Sequence, residues 1–164
     1  MHKFIQDIVK GCYLVEVMIK TDDVLGYADL VSIDEVADIK TVRSYAFKLM
    51  KGKKEKNGQV IPYDFKKDKK DNILQVVFYA KTLGKKKGRL VFIDKDSLDI
   101  IEYEFNIEEF EKELQEELDI LNGFWNNKKL PPPFPRCYNG KECEYCGYQD
   151  KCKGEKDVTK SKEY

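Results

Sequence analysis

Between Cys12 and Lys20 the chain reads CYLVEVMIK, with Tyr13, Val15, Val17 and Ile19 alternating with Leu14, Glu16, Met18 and Lys20. A repeat of two residues is that of a strand. Thr21-Asp22-Asp23 predicts a turn, Val24 to Ile33 a second strand, Asp34-Glu35 another turn, and Val36 to Lys40 a third strand. Three short strands in succession predict an antiparallel meander. Ser44 to Lys51 reads as helix, and the Lys-rich stretch Gly52 to Asp71, with Gly58 and Pro62, as a loop or weak hairpin. From Ile73 to Leu83 the apolar residues Ile73, Val76, Val77, Ala80 and Leu83 fall on one helical face, with Asp71 or Asn72 as cap and Gly84 as stop. Arg89 to Asp94 and Leu98 to Phe105 predict two more strands, joined by a turn at Lys95-Asp96-Ser97. Asn106 is placed to cap a long helix over Ile107 to Trp125, whose first turn carries Glu108 and Glu109. The run Pro131-Pro132-Pro133-Phe134-Pro135 suits neither helix nor central strand. The expectation is an α/β fold: a mixed central sheet flanked by helices over residues 1–130, a proline-rich linker and cysteine-rich knob over 131–153, and a disordered tail over 154–164.

Composition changes this picture little. The chain has 164 residues, 41% hydrophobic, enough for one domain with a modest core. Lys+Arg and Asp+Glu are both 30, so the formal net charge is zero, but the charges are segregated. Residues 40–95 hold 17 Lys or Arg against 5 Asp or Glu, and residues 96–121 hold 11 Asp or Glu against one Lys. This predicts a basic region facing a polyanion and an acidic helix facing elsewhere, or two solvated faces that partly neutralise each other. There is no run of 18 apolar residues, and the N-terminus is too polar for a signal peptide, so no membrane association and a cytoplasmic location are expected. In a reducing compartment, clustered cysteines read as metal ligands rather than disulfides.

The candidate chemistry begins inside the meander. Asp29 lies in the apolar run Leu25-Gly26-Tyr27-Ala28-Asp29-Leu30-Val31, and Asp38 and Lys40 lie in Val36-Ala37-Asp38-Ile39-Lys40. Residues two apart on a strand share a face, so Asp38 and Lys40 point one way and Ile39 points into the core. A tight turn between the strands brings Asp29 near Asp38. An isolated Asp-x-Lys is ordinarily an exposed polar pair. Two carboxylates and an ammonium on half-buried strands, however, are costly unless they serve something. Two carboxylates suit Mg²⁺ or Mn²⁺, and a metal-activated water beside a lysine is the chemistry of phosphodiester hydrolysis.

The sequence Gly26-x-x-Asp29, a turn, then Asp38-Ile39-Lys40-Thr41 resembles the core of the PD-(D/E)XK nuclease superfamily. More narrowly it is similar to the RecB-like branch, which includes CRISPR-associated RecB-like nucleases and phage exonucleases. The resemblance implies a restriction-endonuclease-like core with Asp29, Asp38 and Lys40 as catalytic residues. It also implies that the helix bearing Gln75 and Tyr79, four apart, flanks the site and contacts DNA or the catalytic groups. Glu16 is a further acidic group nearby but reads as a surface strand residue. The family's helical segment before the first core strand, often bearing a metal-binding histidine, has no counterpart in the dozen residues here. His2, the sole histidine, is poorly placed as a ligand. A shortened form, a fragment or one half of a split protein is therefore expected.

Cys137, Cys143, Cys146 and Cys152 form C-x5-C-x2-C-x5-C, a four-ligand metal pattern that by spacing alone fits Zn²⁺ or an iron–sulfur cluster. The family resemblance favours a [4Fe–4S] cluster, through the match of Cys143, Cys146 and Cys152 to the C-x2-C-x5-C of the iron–sulfur RecB-like nucleases. Cys137 is the preferred fourth ligand. Cys12 reads instead as a small core residue at the start of a strand.

The resulting expectation is a Mg²⁺/Mn²⁺-dependent DNA nuclease, most readily an exonuclease, acting on single strands or on ends of double strands. Its setting would be recombination, repair, phage replication or CRISPR adaptation, with a helicase, recombination or CRISPR-adaptation protein as partner. The competing readings are a non-catalytic nucleic-acid-binding module that binds through Lys48 to Lys70, and a zinc-ribbon interaction protein.

Overall fold

In the computed structural model, residues 7, 11–22, 24–54, 56, 58–129 and 147 are described. The predicted meander is present as β1 (Leu14–Lys20), β2 (Leu25–Val31) and β3 (Glu35–Val42), paired antiparallel in turn. The β2–β3 turn is closed by Ser32, whose N–H donates to Glu35 O and whose hydroxyl accepts from the N–H groups of Asp34 and Glu35. Helix α1 (Ser44–Met50) follows, then the short antiparallel hairpin of β4 (Lys53–Lys54) and β5 (Val60–Ile61). Next come α2 (Phe65–Asp68), α3 (Lys70–Thr82), β6 (Lys87–Asp94), β7 (Ile100–Asn106), a 3-10 turn (Ile107–Glu109) and α4 (Glu111–Asn126).

The sheet order is β1-β2-β3-β6-β7. Only β3 and β6 are parallel, paired from Glu35–Lys87 through Val42–Asp94, so the sheet is mixed as expected. Helix α3 packs on these two strands. Its buried stripe of Ile73, Val76, Val77 and Ala80 meets Val36, Leu90, Phe92 and Phe105 in the main core. Fully burying one such side chain contributes about 1.5–3 kcal/mol. A second, smaller cluster of Leu30, Ala37, Ile39 and Ile93, with Tyr13, Val15 and Val91 against it, lies on the other face of β3. The mixed sheet with flanking helices is the layout expected of a restriction-endonuclease-like core.

Several boundaries differ from expectation for identifiable reasons. β3 extends to Val42 and β6 begins at Lys87, because the parallel ladder between them carries the polar ends of both strands. β7 begins only at Ile100, since Leu98 is left-handed at φ 62. Neither Asp71 nor Asn72 caps α3. The helix starts earlier, at Lys70, and Asp71 sits in its first turn. The side-chain cap belongs to Asp64, which accepts from Lys67 N–H and starts the unexpected helix α2. Gly84, at φ 66, does end α3: its N–H reaches Lys81 O and Lys85 N–H reaches Ala80 O, the paired bonds of a Schellman motif. The expected long helix after β7 is split, with Asn106 opening a 3-10 turn and bonding the Glu109 side chain rather than capping α4. Cys12 lies in an exposed turn before β1, not in the core.

The chain divides into two compact units, Met1–Leu118 and Asp119–Tyr164. The first holds the whole sheet and α1 to α3. The described part of the second is chiefly the distal half of α4, where Asn127 donates to Gly123 O. His2, the proline run, Cys137, Cys143, Cys146, Cys152 and the predicted disordered tail lie outside the described residues. Among the described residues no helix is long and apolar enough to cross a membrane.

Candidate active site

Asp29, Asp38, Lys40, Gln75 and Tyr79 all come to one place, over the face of β3 that meets α3. Asp38 is 3% exposed, which is unusual for a carboxylate. Lys40, two residues along the same strand, places Nζ 2.8 Å from Asp38 Oδ2 and donates to Asp38 Oδ1 at 3.0 Å. Ile39, between them, packs into the second cluster on the opposite face. Asp29 comes from β2. The β2–β3 ladder pairs only Leu30 with Ala37 and Val31 with Val36. Beyond it, the Asp29 carboxylate takes over, accepting the Ile39 N–H at 2.8 Å. This holds the Asp29 side chain beside Asp38.

Burial pushes the Asp38 carboxyl above the usual carboxylate range, and the neighbouring Asp29 carboxylate adds to the rise. Lys40 opposes it through its hydrogen bond and charge. The shift therefore records chiefly the removal of this carboxylate from water, with the second carboxylate a lesser cause.

Helix α3 supplies the other side. Lys40 Nζ donates to Gln75 Oε1 at 3.4 Å, and Gln75 Nε2 donates to the Tyr79 hydroxyl at 3.2 Å. A continuous polar chain thus runs Asp38–Lys40–Gln75–Tyr79. The Tyr79 ring lies directly on Gly26 of β2. A Cβ at Gly26 would fall 2.9 Å from ring carbons Cε1 and Cζ, so only glycine leaves room. Gly26, noticed in the sequence as part of a motif, acts sterically, and the Ile39 N–H that anchors Asp29 is a backbone group that no side-chain pattern reveals.

The donor set fits a hard divalent cation. Asp38 Oδ2 is buried and makes no regular hydrogen bond, only the 2.8 Å ion pair with Lys40, and a second carboxylate lies beside it. Among the described residues no group of three or more His, Cys, Asp or Glu could hold a metal. Two carboxylates without a third suit Mg²⁺, which keeps several waters and shares substrate phosphates rather than filling an all-protein cage.

Two further polar networks brace the sheet. Arg89 joins Glu35 at 3.0 Å, Glu102 at 2.6 Å and Glu104 at 2.6 Å, while the Tyr13 hydroxyl donates to Glu35 at 2.7 Å. At the end of β6, buried Asp94 accepts from Ser44 at 2.6 Å, from Asp96 N–H at 3.0 Å and from Ser97 at 3.1 Å. Neither network was foreseen, because each joins residues far apart in sequence.

No family model and no curated protein matches the chain. Among solved structures it is similar to SSO0001, with 22% identity, 92% of this chain and 65% of that chain covered, and a TM-score of 0.47. It is also similar to the alkaline exonuclease LHK-Exo from Laribacter hongkongensis, with 14% identity, 77% and 69% covered, and a TM-score of 0.43. The chain thus spans just under two thirds, 65%, of the length of SSO0001.

Proposed function

We propose that this chain is a Mg²⁺- or Mn²⁺-dependent nuclease of the PD-(D/E)XK type, in its RecB-like branch, hydrolysing DNA phosphodiester bonds. The observation that carries the reading is the buried Asp38 carboxylate, paired with Lys40 at 2.8 Å and set beside the Asp29 carboxylate. Asp29 and Asp38 would hold the metal, which when bound supplies a water of lowered pKa and charge for the phosphoryl oxygens. Lys40 Nζ lies at the same point, placed to orient a water and neutralise charge growing on phosphate. Gln75 holds Lys40, and Tyr79 holds Gln75. The proposed substrate is DNA, as single strands or double-strand ends, in recombination, repair, phage replication or CRISPR adaptation. Cys137, Cys143, Cys146 and Cys152 are assigned to a [4Fe–4S] cluster, with Zn²⁺ as the alternative that metal analysis of anaerobically purified protein separates.

The deciding experiment incubates purified chain with end-labelled single- and double-stranded DNA in Mg²⁺, Mn²⁺ or chelator. Metal-dependent shortening that Asp38→Ala abolishes is expected. Tight DNA binding by the wild type with no cleavage in either metal would replace the enzyme by a binding module.

A further inference from the structure

A break in strand geometry sits directly opposite Asp29. Glu16, in the middle of β1, has φ 50, the left-handed region that side-chain-bearing residues rarely adopt. By register it faces Asp29, between the pairs Val15–Leu30 and Val17–Ala28. Residues two apart on a regular strand share a face. Here they do not: Val17 packs against the main cluster and Val15 against the second, and on β2 Ala28 joins the main cluster and Leu30 the second. Both strands therefore switch faces at the same level, around Glu16 and Asp29, while the register between them stays unbroken. A regular strand directs side chains above or below the sheet. The Asp29 carboxylate instead reaches along the sheet to the Ile39 N–H of β3, and the β2–β3 ladder ends there.

We infer that Glu16 is a positioning residue: its left-handed backbone lets β1 follow the face switch of β2, and so sets the Asp29 carboxylate on Ile39 N–H and beside Asp38. The role belongs to the backbone conformation, not to the Glu16 carboxylate, whose residue is exposed. That this matters for metal binding rests on the nuclease reading. The placement of Asp29 does not. Backbone outliers of this kind persist where the surroundings over-determine them, and they cluster at functional sites.

The test uses the full chain with Glu16→Gly and Glu16→Asn, which tolerate left-handed backbone, and Glu16→Val and Glu16→Thr, whose β-branching resists it more than Glu does. Amide exchange at Ile39, read by NMR against Ala37 and Val91, reports the Asp29 bond without any metal. Mn²⁺ titration followed by electron paramagnetic resonance, with Asp38→Ala as control, reports the site. Glu16→Val should speed Ile39 exchange at least tenfold relative to its neighbours and weaken Mn²⁺ binding at least tenfold. Glu16→Gly and Glu16→Asn should keep both within about twofold, and Glu16→Gly should melt no lower than wild type although glycine usually weakens a strand. If Glu16→Val does not fold, Glu16→Thr against Glu16→Gly makes the same comparison. Unchanged Ile39 exchange in Glu16→Val or, where that does not fold, in Glu16→Thr overturns the inference. So does loss of Ile39 protection in a folded Glu16→Asn, which would assign the effect to the carboxylate. Wild-type protein that protects Ile39 but binds no Mn²⁺ would leave the positioning role standing and overturn the nuclease reading instead.

Discussion

Asp38, a proposed metal ligand, sets stability against the proposed function at a single residue. Its carboxyl is pushed up, chiefly by burial, so the folded state holds the proton more tightly than the unfolded chain does. Ionisation therefore costs stability, and the cost grows as pH rises from the ordinary carboxylate pKa through the raised one. Asp38→Asn should lower metal-dependent cleavage about 100-fold or more, since even supporting residues of metal sites cost 10–100-fold. In metal-free buffer it should melt above wild type, with a gap that opens as pH rises from about 4, the ordinary carboxylate value. Parallel melting curves across pH check the sign, and a variant that melts lower at neutral pH contradicts it. Gly26 makes a second residue-scale prediction. Gly26→Ala drives a methyl into the Tyr79 ring and should cost about 1–3 kcal/mol, as overpacking does. In a Tyr79→Ala background the same Gly26→Ala change should cost little, a coupling that a double-mutant cycle in denaturant measures.

Among the elements, the meander was legible because its period-two pattern is local, and α3 because its apolar stripe repeats at helical spacing. The Asp29–Asp38–Lys40 grouping was legible for the same reason, as all three residues sit on adjacent strands of one hairpin. What could not be read was anything settled between distant segments. The polar ends of β3 and β6 are strand only because each completes the other's ladder. Cys12 looked like a strand start, but the alternation at Tyr13 and Leu14 does not extend back to it. The four cysteines, the most conspicuous motif in the sequence, lie outside the described residues, so their assignment rests on spacing and resemblance alone. The Asp94 network, tying the end of β6 to Ser44 at the start of α1, offers an element-scale test. Ser44 and the backbone N–H of Asp96 hold the Asp94 carboxyl below its usual range. Its contribution is therefore present above the unfolded pKa and lost as pH falls through the depressed one. Asp94→Asn should melt lower than wild type at neutral pH, and the two curves should converge below about pH 4, the ordinary carboxylate value.

For the whole molecule, the segregated charge seen along the chain is partly cancelled in the fold. Lys66 pairs with Glu109 at 2.7 Å, Lys70 with Glu113 at 3.1 Å, Lys51 with Asp99 at 2.9 Å and Lys87 with Glu104 at 3.3 Å. Surface pairs of this kind stabilise little, by about 0–1 kcal/mol, but they occupy lysines that the proposed function would turn to phosphate. DNA affinity should therefore fall with salt less steeply than the lysine count suggests. Replacing Glu109 and Glu113 by Gln should raise affinity at low salt and steepen the slope of log affinity on log salt by up to about 2. A slope that does not change would mean that these lysines never face DNA. The parallel pairing of β3 with β6 bears on the order of assembly as well as on the final shape. Asp29 and Asp38 meet through a tight hairpin, whereas Gln75 and Tyr79 lie within the long crossover that must close before Glu35 can meet Lys87. Short closures form fast and long ones slowly. As the chain leaves the ribosome, then, the acidic pair should assemble first and wait, uncovered, for the helix that will shelter it.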